Sequence, residues 1–256
     1  MIALFSATGN SRLVANALSP LLGDEKIIPI LTLDQSSVAG QNRIIWIFPV
    51  HAWGVPGIVE DVIRNLSFDS TTEHYLVLTC GDDTGRTDRL WRKLVTSRGG
   101  ICMGAFSVRM PNTYVLLPGM DTDSDSVEAA KLLAAPARIE FIAKAIRHRM
   151  SITDLRPGAI PGIKSGMIRP FFRRFLMSPR PFHADSSRCL RCGACVRACP
   201  LGNITMDFGN TPSWGERCAT CLACYHVCGS HAVEYGSRTR RKGQYHAPVS
   251  LPARGS

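Results

Sequence analysis

The sequence predicts an α/β fold, with a doubly wound five-stranded parallel sheet over residues 1–150 followed by a small cysteine-rich module. Three observations point there. In the first 150 residues short apolar, β-branched runs alternate with longer segments of helical period, the pattern of βαβ units whose sheet is covered on both faces. Eight of the ten cysteines fall between Cys189 and Cys228. The charge divides in the same way: residues 1–150 hold 15 basic and 15 acidic residues, whereas residues 151–256 hold 15 basic and 5 acidic and carry the entire net charge of +10.

Five strands are read at residues 2–6, 26–31, 43–50, 74–80 and 101–109. Between and after them lie helices at 10–22, 56–66, 86–98 and 124–149, the second opening with Pro56 at a first-turn position. The longest apolar run, residues 44–50, stops at His51, far short of the roughly 18 residues a membrane span needs. The chain starts directly in the apolar residues 1–5, without the basic flank and cleavage site of a secretory signal. The thiols are therefore expected in a reducing, cytoplasmic setting where structural disulfides are rare.

Residues 151–184 break the alternation with five prolines and with Gly158, Gly162 and Gly166, and read as a linker. Its stretch 155–184 contains Arg156, Lys164, Arg169, Arg173, Arg174 and Arg180, no acidic residue, and the apolar Ile163, Met167, Ile168, Phe171, Phe172, Phe175 and Leu176. These aromatics are expected to pack the linker onto its neighbours while the arginines stay solvated; peripheral contact with an anionic membrane is the competing reading. The cysteine module is placed at 185–237, and residues 238–256 are expected as a basic, poorly ordered tail.

The module contains an internal repeat. Cys189, Cys192, Cys195 and Cys199 recur 29 residues later as Cys218, Cys221, Cys224 and Cys228, and Ala194/Ala223 and Ile204/Val233 keep that offset. Structural zinc takes two spaced pairs of ligands and gains nothing from a third cysteine after the second step, and a disulfide framework does not suit a reducing compartment. Each run has the spacing C-x2-C-x2-C-x3-C, with Pro200 after the first and Gly229 after the second. This pattern resembles bacterial two-cluster 4Fe-4S ferredoxins. The resemblance implies a small α+β module with two 4Fe-4S clusters and crossed ligation. One cluster would use Cys189, Cys192, Cys195 and Cys228, the other Cys218, Cys221, Cys224 and Cys199. Cys80 and Cys102 fall on strands and are expected to be inert buried thiols.

Ser6-Ala-Thr-Gly-Asn-Ser11 lies between the first strand and the first helix, where amides and hydroxyls converge on an anion at the positive end of the helix dipole. Ser6, Thr8, Gly9, Asn10 and Ser11 resemble the phosphate-binding loop of flavodoxins, which implies noncovalent FMN at the carboxyl ends of the strands. By the same resemblance two further loops would flank the flavin ring: Val50, His51, Ala52, Trp53 and Gly54 after the third strand, and Gly81 and Asp82 after the fourth. Trp53 could stack on the ring, and Asp82 and Asp83 could place negative charge beside it. No two glycines stand two positions apart, so the G-x-G-x-x-G fingerprint is absent, as are a Walker loop and an H-E-x-x-H segment.

Nearly the whole chain, including the stretch Val108-Arg-Met-Pro-Asn-Thr-Tyr114, resembles flavodoxin-ferredoxin fusion proteins. The resemblance implies an electron-transfer protein passing single electrons between FMN and two 4Fe-4S clusters and on to a redox partner, and an electron carrier more than a stand-alone catalyst. Two alternatives are kept: a flavin-dependent reductase of a small molecule fed by its own clusters, and an iron-sulfur module docking on an anionic surface. The basic excess points to an acidic redox partner rather than to specific nucleic-acid binding.

Overall fold

The computed structural model describes residues 1–175, 177–209 and 211–252. Leu176, residues 253–256 of the expected tail, and the Arg173, Arg174 and Phe175 side chains lie outside the described residues.

The first region follows the order β1 (Ile2–Leu4), α1 (Asn10–Leu21), β2 (Ile27–Pro29), α2 (Gln35–Val38), β3 (Arg43–Pro49), α3 (Gly57–Arg64), β4 (Glu73–Cys80), α4 (Thr87–Thr96), β5 (Ile101–Arg109), α5 (Asp125–Arg147) and β6 (Thr153–Asp154). The strands form one parallel sheet in the order β2-β1-β3-β4-β5-β6. Alternate side chains feed two cores. Ile2, Ile45, Ile47, Tyr75 and Val77 meet α1 and α5, while Ala3, Ile44, Trp46, Phe48, Leu76 and Leu78 meet α3 and α4.

The sheet has six strands, not the expected five. The extra strand comes from the start of the expected linker, where the Ala105 N–H donates to Ile152 O at 3.0 Å. Arg138 fixes it by donating to Asp154 Oδ2 (2.6 Å), Asp154 O (2.8 Å) and Ser107 O (2.9 Å). The short α2, also unexpected, starts on a capping box between Asp34 and Ser37.

Reversal of strand order between β1 and β3 opens a crevice at the carboxyl ends of the sheet, the position where open α/β sheets bind ligands. The linker lies against this end as a continuous helical segment: α6 (Pro161–Ile163), a π-turn (Lys164–Ile168) and α7 (Arg169–Phe175). Two of its cations, Arg169 and Lys164, are engaged, and for Arg169 this overturns the solvated reading. Arg169 pairs with Glu60, both under 10% exposed, and donates to Val55 O at 2.8 Å; Lys164 pairs with Asp83 at 2.5 Å. Phe172 is buried and packs against Tyr114, whereas Met167 and Phe171 face outward.

The cysteine module contains β7 (Phe182–Ala184), α8 (Ala194–Ala198), β8 (Ile204–Met206), β9 (Pro212–Trp214), α9 (Ala223–His226) and β10 (Val233–Tyr235). β7 pairs antiparallel with β10, and β8 with β9. The sequence repeat is written into the backbone, because left-handed residues recur at the same offset: Arg191 and Thr220, Gly193 and Leu222, Gly202 and His231. Its small core is completed by Val115 and Leu116, which leave the loop after β5 and sink among Phe182, Leu222, Tyr225 and Tyr235. Residues 238–252, expected as a loose tail, fold back over both regions: Tyr245 is 2% exposed, and Ala247 and Leu251 pack on the α1/α5 core.

Candidate cofactor sites

α1 begins at Gly9, whose φ of 102° is a conformation that glycine adopts without strain. The loop before it is braced from several sides. Ser6 Oγ accepts the Arg12 N–H at 3.2 Å, Asn10 Nδ2 donates to Pro111 O at 2.9 Å, and the Ser11 and Thr79 hydroxyls meet at 2.7 Å. The Asn10 and Ser11 side chains thus tie the loop to its neighbours and leave backbone amides at the helix terminus for an anion. The buried Asn10 Oδ1 has no partner among the described residues, an acceptor that a ligand hydroxyl would satisfy.

A cavity of about 450 Å³ opens beside this loop. It is lined by Thr8, by Val50, His51, Ala52 and Trp53, and by Gly81 and Asp82, so three separated segments singled out in the sequence meet there. Its size suits a cofactor with a fused ring system. His51 and Gly54 exchange backbone hydrogen bonds of 3.0 Å each way across Ala52 and Trp53, which both hold positive φ (46° and 54°). Two non-glycine residues in that region make a strained turn, and strain of this kind is kept where a site needs it. The linker secures the turn: Ser165 Oγ donates to Trp53 O at 2.8 Å, and the Lys164 ammonium lies 5.5 Å from the centre of the Trp53 ring. Gly54 sits so close beneath Arg169 that a Cβ would lie 1.9 Å from its Nε.

Burial and the Arg169 charge hold the His51 imidazole down at about 4, so it is neutral at physiological pH. Burial pushes the Cys80 thiol up to about 12, and it stays protonated. Asp83 pairs with Lys164, leaving Asp82 as the carboxylate of that loop without a cation among the described residues; Asn112 Nδ2 donates to it at 3.3 Å.

Several lining residues were not marked by the sequence reading as part of the flavin site. Asn112, Thr113 and Tyr114 come from the loop after β5, Lys164 and Phe172 from the linker, and Thr220, Cys221 and Leu222 from the cysteine module. Cys221 therefore faces the cavity framed by the loops of the first region. His226 fixes the contact between regions: its Nδ1 accepts the Tyr245 N–H at 3.0 Å, so its Nε2–H donates to Thr113 O at 2.8 Å.

A second, small cavity is lined by Cys199, Cys218, Cys221 and Cys224, three cysteines of the second run and the fourth of the first. Elsewhere in the module, burial raises the Cys195 thiol, and the Cys228 and Cys189 sulfurs push it in the same direction. Among the described residues no three Cys, His, Asp or Glu side chains converge as they would on a single ion. Four sulfurs around one cavity suit the outer corners of a cubane. Backbone amides point at these sulfurs at 3.3 Å in a repeated arrangement, Asn203 to Cys199 and Ala232 to Cys228. Such bonds stabilise the charge of a bound cluster and tune its potential.

Residues 182–234 match the 4Fe-4S dicluster domain family. A solved structure of a flavodoxin from Streptococcus pneumonia TIGR4 is similar at 14% identity, covering 58% of this chain and 95% of that one with a TM-score of 0.37. No curated protein matches the chain.

Proposed function

We propose that the protein is an electron carrier that holds FMN in the 450 Å³ cavity and two 4Fe-4S clusters on the eight clustered cysteines, and passes electrons among them to a partner. The observation that carries this reading is the shared wall: Cys221 lines both the cavity of the first region and the small cavity of its cysteine quartet. FMN supplies two-electron chemistry that can be released in single steps, and each cubane carries one electron.

This chain's residues do the remaining work. The amides at the start of α1 would hold the phosphate, the strained turn at Ala52 and Trp53 would flank the ring, and neutral His51 would add no charge there. Val115, Leu116 and Phe172 close the junction against water. Cys199 and Cys228 cross between the two runs and lock the half-repeats together. The quartet containing Cys221 is the one next to the flavin, and the quartet containing Cys189 and Cys192 is the outlet. Cys192 and Leu190 are exposed there, flanked by the exposed Arg191 and Arg197, a surface suited to an acidic redox partner. No helix of the described residues is long and apolar enough to cross a membrane.

Anaerobic purification followed by a visible spectrum with iron, sulfide and flavin analysis tests the assignment. Iron and sulfide with FMN are expected; iron and sulfide in a protein that binds no added FMN would reduce the first region to a scaffold.

A further inference from the structure

Resting on that flavin assignment, we propose that residues 242–247 are a positioning element of the flavin site, a strap through which cluster occupancy controls flavin affinity.

The strap is anchored on α9. The Tyr225 hydroxyl donates to Lys242 O at 2.8 Å, and Gln244 Nε2 donates to Tyr225 O at 2.6 Å and Cys228 O at 2.9 Å. The Tyr245 N–H bonds to His226 as described. α9 has only four residues, too few to hold itself as an isolated helix. It carries Cys224 and lies between Cys221 and Cys228, so its place is fixed by whatever those sulfurs bind.

The other side of the strap grips the flavin loops. Lys242 Nζ donates to Met120 O and the Gly243 N–H to Asp121 Oδ1, both at 2.8 Å, and Met120 and Asp121 line the large cavity. Gly243 approaches the same loop so tightly that a Cβ would lie 2.1 Å from Thr122 Oγ1. Ala247 covers the phosphate loop, where a Cβ on Gly9 would lie 2.3 Å from its own Cβ. A shift of α9 therefore pulls on residues 120–122 and uncovers Gly9 together. Two sites biased by one packed element have a coupling free energy, and it acts in both directions.

The test is titration of FMN, followed by its fluorescence, into four samples of the full chain. These are cluster-loaded wild type, wild type stripped of iron with a chelator, cluster-loaded Gly243→Ala, and the double variant Thr122→Ala/Gly243→Ala. Stripped wild type and Gly243→Ala are expected to bind FMN roughly tenfold or more weakly than loaded wild type. Gly243→Ala should keep its iron and sulfide, and the double variant, which removes the clashing oxygen, should regain affinity. Equal affinity in loaded and stripped wild type overturns the proposal even if Gly243→Ala fails to fold. Absence of binding to loaded wild type overturns the flavin assignment itself.

Discussion

The sheet region and the cysteine module solve stability in opposite ways. The first buries two full cores, with Trp46, Trp91, Tyr75 and Phe106 completely enclosed, and is electrically neutral over residues 1–150. The second has three-residue strands and helices of four and five residues, and its one core borrows Val115 and Leu116 from its neighbour and is lined by the thiols themselves. A region of the first kind folds and then receives a ligand. A region of the second kind gains much of its order from what its cysteines hold and from the surface it is docked on.

The largest test of this contrast is Cys199→Ser. It removes one ligand from the quartet with Cys218, Cys221 and Cys224, and about half of the iron and sulfide should be lost. Circular dichroism should then show the module loosening while the fluorescence of buried Trp46 and Trp91 is unchanged. Loss of the other quartet's cluster instead, by paramagnetic resonance, would contradict crossed ligation. Next in size is Arg169→Met, which breaks the buried pair of Arg169 with Glu60 and removes the donor to Val55 O. Breaking a buried pair in this way costs about 3 kcal/mol, and urea unfolding should show the loss together with release of the linker. Leu116→Ala is expected to cost about 2 kcal/mol, felt in the unfolding transition of the cysteine module although the residue lies in the sequence of the first region.

Smallest per pH unit is an effect of pH that belongs to the sheet region. Burial depresses His74 to about 4 in the folded state, where Nδ1 accepts the Trp46 indole N–H at 2.9 Å. The unfolded chain binds this proton near 6.5, so the contribution is complete above that pH and is lost as pH falls from 6.5 towards 4, by at most about 1.4 kcal/mol per pH unit. His74→Gln should flatten that slope in denaturation curves taken across the window.

Regular periodicity made the first five strands, four helices and the loop before α1 legible, because each is a local pattern. The cysteine repeat was equally legible, since its 29-residue offset reappears as paired left-handed residues. What the sequence hid are partnerships over long separations. The linker looked like a spacer because its prolines, glycines and cations carry no periodicity, yet Arg169 finds Glu60 and Lys164 finds Asp83. β6 is two residues long, too short for any alternation, and forms because the edge of β5 is available to it. The basic tail concealed Gly243 and Ala247, whose meaning lies in close approaches to Thr122 and Gly9.

In the function proposed, the two regions exchange electrons within one molecule across the wall they share at Cys221. Stopped-flow reduction of the loaded protein, monitored at flavin and cluster wavelengths, tests it most directly. An internal equilibration rate independent of protein concentration is expected; a rate that rises in proportion to concentration would show transfer between molecules instead.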